Sequence, residues 1–252
     1  MTAGRIYIGL PAYNEEIALP RLLTRIESAA QSSQLSLTVV VYNDGSTDKT
    51  ATIAAKWPQG VPLVLLDGKI NKGLGAGLRA LFDYAVANGR PDDVLVIMDC
   101  DDTHDPAQIP EMLVAMTKSA DVVIASRFLR GATVRGVPPL RRMTALGAVI
   151  LFKLIHPVRN VRDYTCGYRA YRIGLLQDAS ARFRGRLVEE TGFACMVEAL
   201  LKLNASGARC AEIALHLRYD LKPTASKMDV SSNMRRLLAL LIRWRWRGFD
   251  AA

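Results

Sequence analysis

The chain has no Cys-x-x-Cys pair, and its four cysteines, Cys100, Cys166, Cys195 and Cys210, fall at no zinc-ligand spacing. A disulfide framework and a structural zinc site are therefore excluded as organising features, and the four read as reduced thiols of a cytosolic protein. Long apolar runs are also missing. The longest, residues 143–158, is interrupted by Lys153 and His156 and falls short of the roughly 20 residues that a membrane-spanning helix needs. Residues 1–10 carry one Arg and no extended apolar region, so no signal peptide is expected and the chain reads as soluble or peripheral. Phosphate-cradling glycines are absent from the first loop, Pro11-Ala-Tyr-Asn-Glu-Glu16, and no Walker sequence occurs. The cluster Gly73-Leu-Gly75-Ala-Gly77 lacks dinucleotide-binding spacing and suits either close packing or approach to a nucleotide. No helix-turn-helix, RRM-like aromatic run or zinc finger supports a nucleic-acid module.

What is present is a 252-residue chain, 50% hydrophobic, with a net charge of +9. That is enough for one large domain or two small ones with a real core. The positive charge is concentrated: residues 127–186 hold thirteen Arg or Lys against only Asp163 and Asp178. Such a face suits an anionic partner, whether nucleic acid, acidic lipid surface or phosphorylated substrate.

Strands at 6–10 (breaking at Pro11), 37–42, 63–66, 94–98 and 122–126 alternate with helices opened by Asn14-Glu15-Glu16, by Thr47 or Asp48, by Leu74 and by Asp105-Pro106. This pitch predicts an α/β domain with a mostly parallel sheet, helices on both faces and ligands beyond the carboxyl ends of the strands. After Arg127 a Gly/Pro-rich, arginine-punctuated stretch leads to a helix over 140–155, a strand over 164–171, a helix over 188–203 and a strand over 211–219. Residues 221–232 read as a loop. A helix over 231–248 carries an Arg236, Arg243, Arg247 stripe beside Leu237, Leu240, Leu241 and Trp244. This cationic amphipathic pattern fits a membrane interface and equally a helix docked on its own domain.

The densest chemical signal is V-L-V-I-M-D-C-D-D-T-H-D-P at 94–106. In an extended segment Asp99 and Asp101 project to one side, about 6–7 Å apart, where their repulsion is relieved by a hard divalent cation, Mg²⁺ or Mn²⁺, sharing its sphere with phosphate oxygens. Asp105 reads as a helix N-cap with Pro106 at the first helical position. His104 reads as a packing or capping residue. Glu189 and Glu190, at the start of the 188–203 helix, favour its N-terminus electrostatically or serve as a base toward a hydroxyl acceptor.

Together, Pro11-Ala-Tyr13-Asn14-Glu15-Glu16, the N-D-G-S-T-D-K-T turn at 43–50, Asn71-Lys72-Gly73, Asp99-Cys-Asp101 with His104, Ser126-Arg127 and Cys166-Gly-Tyr-Arg169 resemble family 2 glycosyltransferases. More narrowly, they are similar to the dolichol-phosphate mannosyltransferase group, over residues 6–228. The resemblance implies a GT-A fold, a Rossmann-like nucleotide-sugar half (1–126) and an acceptor half (127–218), followed by an acceptor loop and amphipathic helix (219–252). It places Pro11, Tyr13, Glu15, Asn43, Asp44, Lys72 and Asp99 around the nucleotide, and the metal on Asp99 and Asp101. Arg127, Arg218 and Lys227 join Asp101 as catalytic groups, and Arg141, Arg142 and Thr144 contact the acceptor phosphate. The implied activity is inverting hexosyl transfer to a polyprenyl phosphate at the cytosolic membrane face, through peripheral attachment or a membrane-embedded partner. GDP-mannose is the first-weighted donor and UDP-glucose the second. Three positions depart from the pattern: Asn43 stands where an acid is usual, Thr103 where Gln is common, and Ala145 where Ser is frequent. A sugar nucleotidyltransferase is disfavoured by the first loop, and a water-soluble acceptor is the alternative within the transferase reading.

Overall fold

The computed structural model describes residues 4–57, 60–118, 120–136, 147, 149–221 and 230–247. Five strands with apolar interiors, β1 (Ile6–Ala12), β2 (Leu37–Asp44), β3 (Leu63–Gly68), β4 (Val94–Ile97) and β5 (Val122–Ser126), alternate with helices α1 (Ala18–Ser32), α2 (Thr50–Ala55), α3 (Leu74–Asn88) and α4 (Ile109–Thr117). A short 3-10 turn, Pro106–Gln108, precedes α4 and is capped by Asp105, whose carboxylate accepts from the Ala107 N–H at 3.1 Å. Later come β6 (Thr133–Arg135), β7 (Arg169–Arg172), α5 (Ile173–Arg182), α6 (Ala194–Ala205), β8 (Cys210–Ala214), β9 (His216–Arg218) and α7 (Val230–Arg247).

One seven-stranded sheet runs in the order β3-β2-β1-β4-β7-β5-β8, and β6 pairs with β9 in a separate two-stranded sheet. Every pairing in the large sheet is parallel except those of β7, which lies antiparallel between β4 and β5. Side chains of β4 and β5 are buried throughout, as expected of strands covered on both faces. The carboxyl ends of β1 to β5 point to one edge, where the first loop, the 43–48 turn, the 69–73 loop and the 98–105 turn gather.

Several expected boundaries move, each for a visible reason. β1 does not break at Pro11. Its pairing with β4 ends at Gly9↔Ile97 while pairing with β2 continues to Ala12↔Asn43, so Pro11 sits where one flank is already an edge, a position that tolerates a missing N–H. The helix expected from Asn14 starts at Ala18, because the Asn14 side chain is occupied across the loop by the Thr47 N–H at 2.8 Å. Of the strand expected over 164–171 only Arg169–Arg172 forms, since the backbone N–H groups of Thr165 and Cys166 turn back onto Asp163 Oδ1. The strand expected over 211–219 splits at Leu215 between the two sheets.

The helix expected over 188–203 begins at Ala194. Its missing first turn is a loop held by Glu198, whose Oε2 accepts the N–H groups of Glu189 and Glu190 at 2.8 and 2.7 Å. Glu189 and Glu190 therefore do not open a helix. The Glu189 carboxylate instead pairs at 2.8 Å with buried Lys202, which also binds Glu198 Oε1 at 2.8 Å. In α7, Leu237, Leu240, Leu241 and Trp244 are buried while Leu238 and Ile242 are exposed. Residues 149–155 are helical and expose Ile150 and Leu154.

Candidate active site

The segment after β4 is a turn, not the extended strand tip that the sequence implied. Asp101 is buried, and its Oδ1 accepts both the Thr103 N–H at 3.2 Å and the Thr103 hydroxyl at 2.7 Å. Asp102 takes a left-handed φ of 62°, which costs a non-glycine residue of order 1 kcal/mol. Arg25 of α1 holds it there, donating to the Asp102 carboxylate at 2.6 Å and carbonyl at 3.2 Å, and to Asp105 Oδ1 at 3.1 Å. His104 Nδ1 accepts the Asp99 N–H at 3.1 Å while its ring stacks on Tyr168 with centroids 4.9 Å apart. Its Nε2 also lies 3.9 Å from Asp99 Oδ2, so His104 both packs and positions Asp99. The Asp99 side chain is about one-third exposed at 34%, and a Cβ added at Gly167 would lie 3.3 Å from its Oδ1.

Asp44 closes the neighbouring loop. Its two carboxylate oxygens accept the N–H groups of Lys72 and Gly73 at 2.9 and 2.8 Å. The N-terminus of α3 is further occupied by the Thr191 carbonyl, which accepts from the Gly75 N–H at 2.9 Å. A Cβ at Gly75 would fall 1.7 Å from the Glu190 oxygen. Close packing, rather than phosphate approach, is what the Gly73-Leu-Gly75 cluster serves. Asn43 donates to Asp67 Oδ1 at 2.7 Å and accepts from the Ser46 N–H at 3.1 Å. The first loop is stapled to the same turn, with the Asn14 N–H on Ser46 and the Glu15 N–H on Thr50, which sets the backbone around Tyr13.

Arg127, at the end of β5, grips Asp163 through Nε to Oδ2 at 2.7 Å, Nη2 to Oδ1 at 2.6 Å and its own backbone N–H at 3.0 Å, and donates to Thr165 at 2.6 Å. Burial alone would raise the Asp163 pKa, but the Arg127 charge and hydrogen bonds hold it below the usual carboxylate range. Beside it, burial pushes the Cys166 thiol up to about 12, so it is inert as a nucleophile at neutral pH. Arg218 bridges differently: its backbone N–H donates to the Thr103 carbonyl at 3.0 Å, while its guanidinium pairs with exposed Asp220 at 2.9 Å.

The structure thus gathers Pro11, Tyr13, Glu15, Asn43, Asp44, Lys72, Asp99, Asp101 and Arg127 at one sheet edge, with the Arg218 backbone on the 101–103 turn. Arg141, Arg142, Thr144 and Lys227 lie outside the described residues. Arg25, Asp67, Asp163 and the Glu198–Lys202 pair were not foreseen. Only Asp163 left a signal, as one of two acids in the arginine-rich stretch. Asp99 and Asp101 offer hard oxygen donors at a strand end and fit Mg²⁺ or Mn²⁺ chemically. Among the described residues no cluster of three His, Cys, Asp or Glu could hold a metal.

A parallel sheet with one antiparallel strand, an acidic turn beyond β4 and an arginine across the edge define a nucleotide-sugar-dependent GT-A glycosyltransferase. The profile of glycosyl transferase family 2 matches residues 7–179, and the chain belongs to that family. It is 32% identical over 253 residues to the undecaprenyl-phosphate mannosyltransferase of Micrococcus luteus, covering 98% of both chains. It is 29% identical over 248 residues to the polyprenol monophosphomannose synthase of Mycolicibacterium smegmatis, covering 97% of this chain and 88% of that one. To the dolichol-phosphate mannosyltransferase of Pyrococcus furiosus it is 29% identical over 199 residues, 79% of this chain but 53% of that one, so it spans about half of that relative. In fold it matches glucosyl-3-phosphoglycerate synthase of Mycobacterium tuberculosis, solved with Mn²⁺, uridine diphosphate and phosphoglyceric acid, with a TM-score of 0.66, 18% identity and coverage of 96% and 78%. The same enzyme has been solved with Mg²⁺ and uridine diphosphate.

Proposed function

We propose that this chain transfers a hexose, with inversion, from a nucleotide sugar to the phosphate of a polyprenyl phosphate, and that the donor is GDP-mannose. The observation that carries the reading is the acidic Asp99–Asp101 turn beyond β4 with Arg127, at the carboxyl end of β5, close enough to Asp99 to feel its charge. Similarity along nearly the whole length of an undecaprenyl-phosphate mannosyltransferase supports the acceptor. Residues 1–126 bind the donor and residues 127–218 supply the acceptor face.

In the reaction an acceptor phosphate oxygen attacks the hexose C1 and the nucleoside diphosphate leaves from the opposite face. Asp99 and Asp101 would hold Mg²⁺ or Mn²⁺, which when bound supplies Lewis-acid charge to the leaving diphosphate. Arg127 adds fixed positive charge, pre-oriented by Asp163 so that little reorganisation accompanies the step. A phosphate acceptor is already ionised near neutral pH, so no strong general base is needed. By the family resemblance, Arg218 and Lys227 would add positive charge at the site, and Arg141, Arg142 and Thr144 would contact the acceptor phosphate. Exposed Ile150, Leu154, Leu238 and Ile242 suit peripheral contact with the cytosolic membrane face, directly or beside a membrane-embedded partner. No helix among the described residues is long and apolar enough to cross a membrane.

A second reading, UDP-glucose as donor with a polyprenyl phosphate or a soluble acceptor, draws on Asn43 replacing the usual acid and on the fold shared with glucosyl-3-phosphoglycerate synthase. Crossing GDP-mannose and UDP-glucose with a short-chain polyprenyl phosphate in detergent and with 3-phosphoglycerate in its absence separates the two. The reading expects glycolipid from GDP-mannose alone. Sugar transferred to phosphoglycerate overturns it.

A further inference from the structure

We infer that Asp67 is the residue that reads the donor's nucleobase, and that it selects guanine. The inference rests on the GDP-mannose donor reading above and adds the residue that reads its base.

Asn43 cannot itself supply the acceptor that a base N–H requires. Its Oδ1 is taken by the Ser46 N–H and its Nδ2 donates to Asp67 Oδ1, so turning the amide toward a ligand breaks both bonds. The side chain is also almost fully buried, at 3% exposure. The acidic function at this rim passes across the register pair Asn43↔Asp67 to Asp67, whose side chain is 39% exposed. Lys69 and Asn43, through their hydrogen bonds, hold the Asp67 carboxyl below its ordinary pKa, so it is an acceptor throughout the neutral range. Its bond to Lys69 joins Oδ2 to a side chain that is 84% exposed, a surface ion pair that exchanges easily.

Position agrees with chemistry. β3 is the edge strand, and three strand spacings, about 14 Å in all, separate it from β4 and the Asp99–Asp101 turn. An extended nucleoside diphosphate spans that distance with its base at Asp67 and its diphosphate at the acidic turn. Each Asp67 oxygen already accepts one hydrogen bond, from Asn43 or Lys69, and keeps a second lone pair, so the carboxylate matches guanine, which offers N1–H and the 2-amino group side by side for a bidentate pair. Uracil offers a single N3–H flanked by two carbonyl oxygens, and the second carboxylate oxygen is repelled by one of them. Adenine and cytosine present one amino group beside a ring acceptor and meet the same repulsion.

The test is calorimetric titration with GDP, IDP and UDP in Mn²⁺ on the wild-type protein and on Asp67→Asn, which keeps an oxygen for the Asn43 amide. Melting of the ligand-free variant checks its fold. The wild type is expected to bind GDP about tenfold or more tighter than UDP, with IDP, which lacks the 2-amino group, weakened toward UDP. Asp67→Asn is expected to lose about tenfold on GDP and less than about threefold on UDP. A wild-type preference for UDP, or a GDP/UDP ratio unchanged in the variant, overturns the inference and leaves the donor site standing. No binding of any nucleoside diphosphate overturns the donor-site reading and this inference with it.

Discussion

Arg127 and Asp163 form a bidentate ion pair, with Nε 2.7 Å from Oδ2 and Nη2 2.6 Å from Oδ1, in which the carboxylate is wholly buried and the arginine side chain is 25% exposed. The buried acid fixes an arginine that lies close enough to Asp99, in the acidic turn after β4, to feel its charge. Removing one partner of such a pair strands the other.

Asp163→Asn is therefore expected to cost about 3 kcal/mol in urea denaturation and to weaken donor binding through a loosened Arg127. The pH dependence follows from the depressed Asp163 pKa. Its stabilisation is complete above the unfolded carboxylate value, about 3.9, and is lost as pH falls through the lower folded value. The variant should lack this acid-side loss, so its stability should converge on the wild type below about pH 4. A wild-type-like stability at pH 7 contradicts the assignment.

Gly75 offers a test in which two effects have opposite signs. Alanine is favoured over glycine within a helix by about 1 kcal/mol. A Cβ here would lie 1.7 Å from the backbone oxygen of Glu190, which cannot swing aside as a side chain could. Gly75→Ala is expected to lower the melting temperature and to make the 186–192 loop more accessible to protease. A rise in melting temperature would show that the loop is free to move off α3.

Arg25 lies on α1, away from the reacting groups, yet it holds the left-handed Asp102 and the capping Asp105. Arg25 is 31% exposed but the Asp102 side chain only 7%, so Arg25→Ala should cost about 1–3 kcal/mol by leaving a nearly buried carboxylate without its partner. The Mn²⁺ concentration needed for half-maximal nucleotide binding should rise severalfold, with partial rescue in Arg25→Lys. An unchanged Mn²⁺ dependence would leave Arg25 with only a structural role.

The alternating strands and helices of the first half were legible because each strand is a short apolar run ended by a polar turn, and such periodicity survives in any α/β packing. The second half was less so. Tyr164 to Tyr168 has the aromatic, alternating look of a strand, but Asp163 bends it by accepting successive backbone N–H groups. Val188 to Phe193 continues a helical pattern, but Glu198, just over one turn into α6, gathers the N–H groups of Glu189 and Glu190. In both places one buried carboxylate overrode local propensity, and its effect shows only when distant chain meets. The Asp99–Asp101 pair was found for its composition, although the turn that presents it was not the extended strand assumed. Asp67 was missed because only the β2–β3 register brings it beside Asn43.

The most direct test of the central claim, that Asp99 and Asp101 form a metal-dependent donor site, is thermal melting with GDP, GDP-mannose, UDP and UDP-glucose, with and without Mn²⁺, in the wild type and in Asp101→Ala. Ligand binding to the native state raises its stability by mass action. The account predicts a Mn²⁺-dependent stabilisation by GDP and GDP-mannose that Asp101→Ala abolishes. A nucleotide shift that ignores Mn²⁺ and survives in Asp101→Ala, or no shift with any nucleotide, would contradict it.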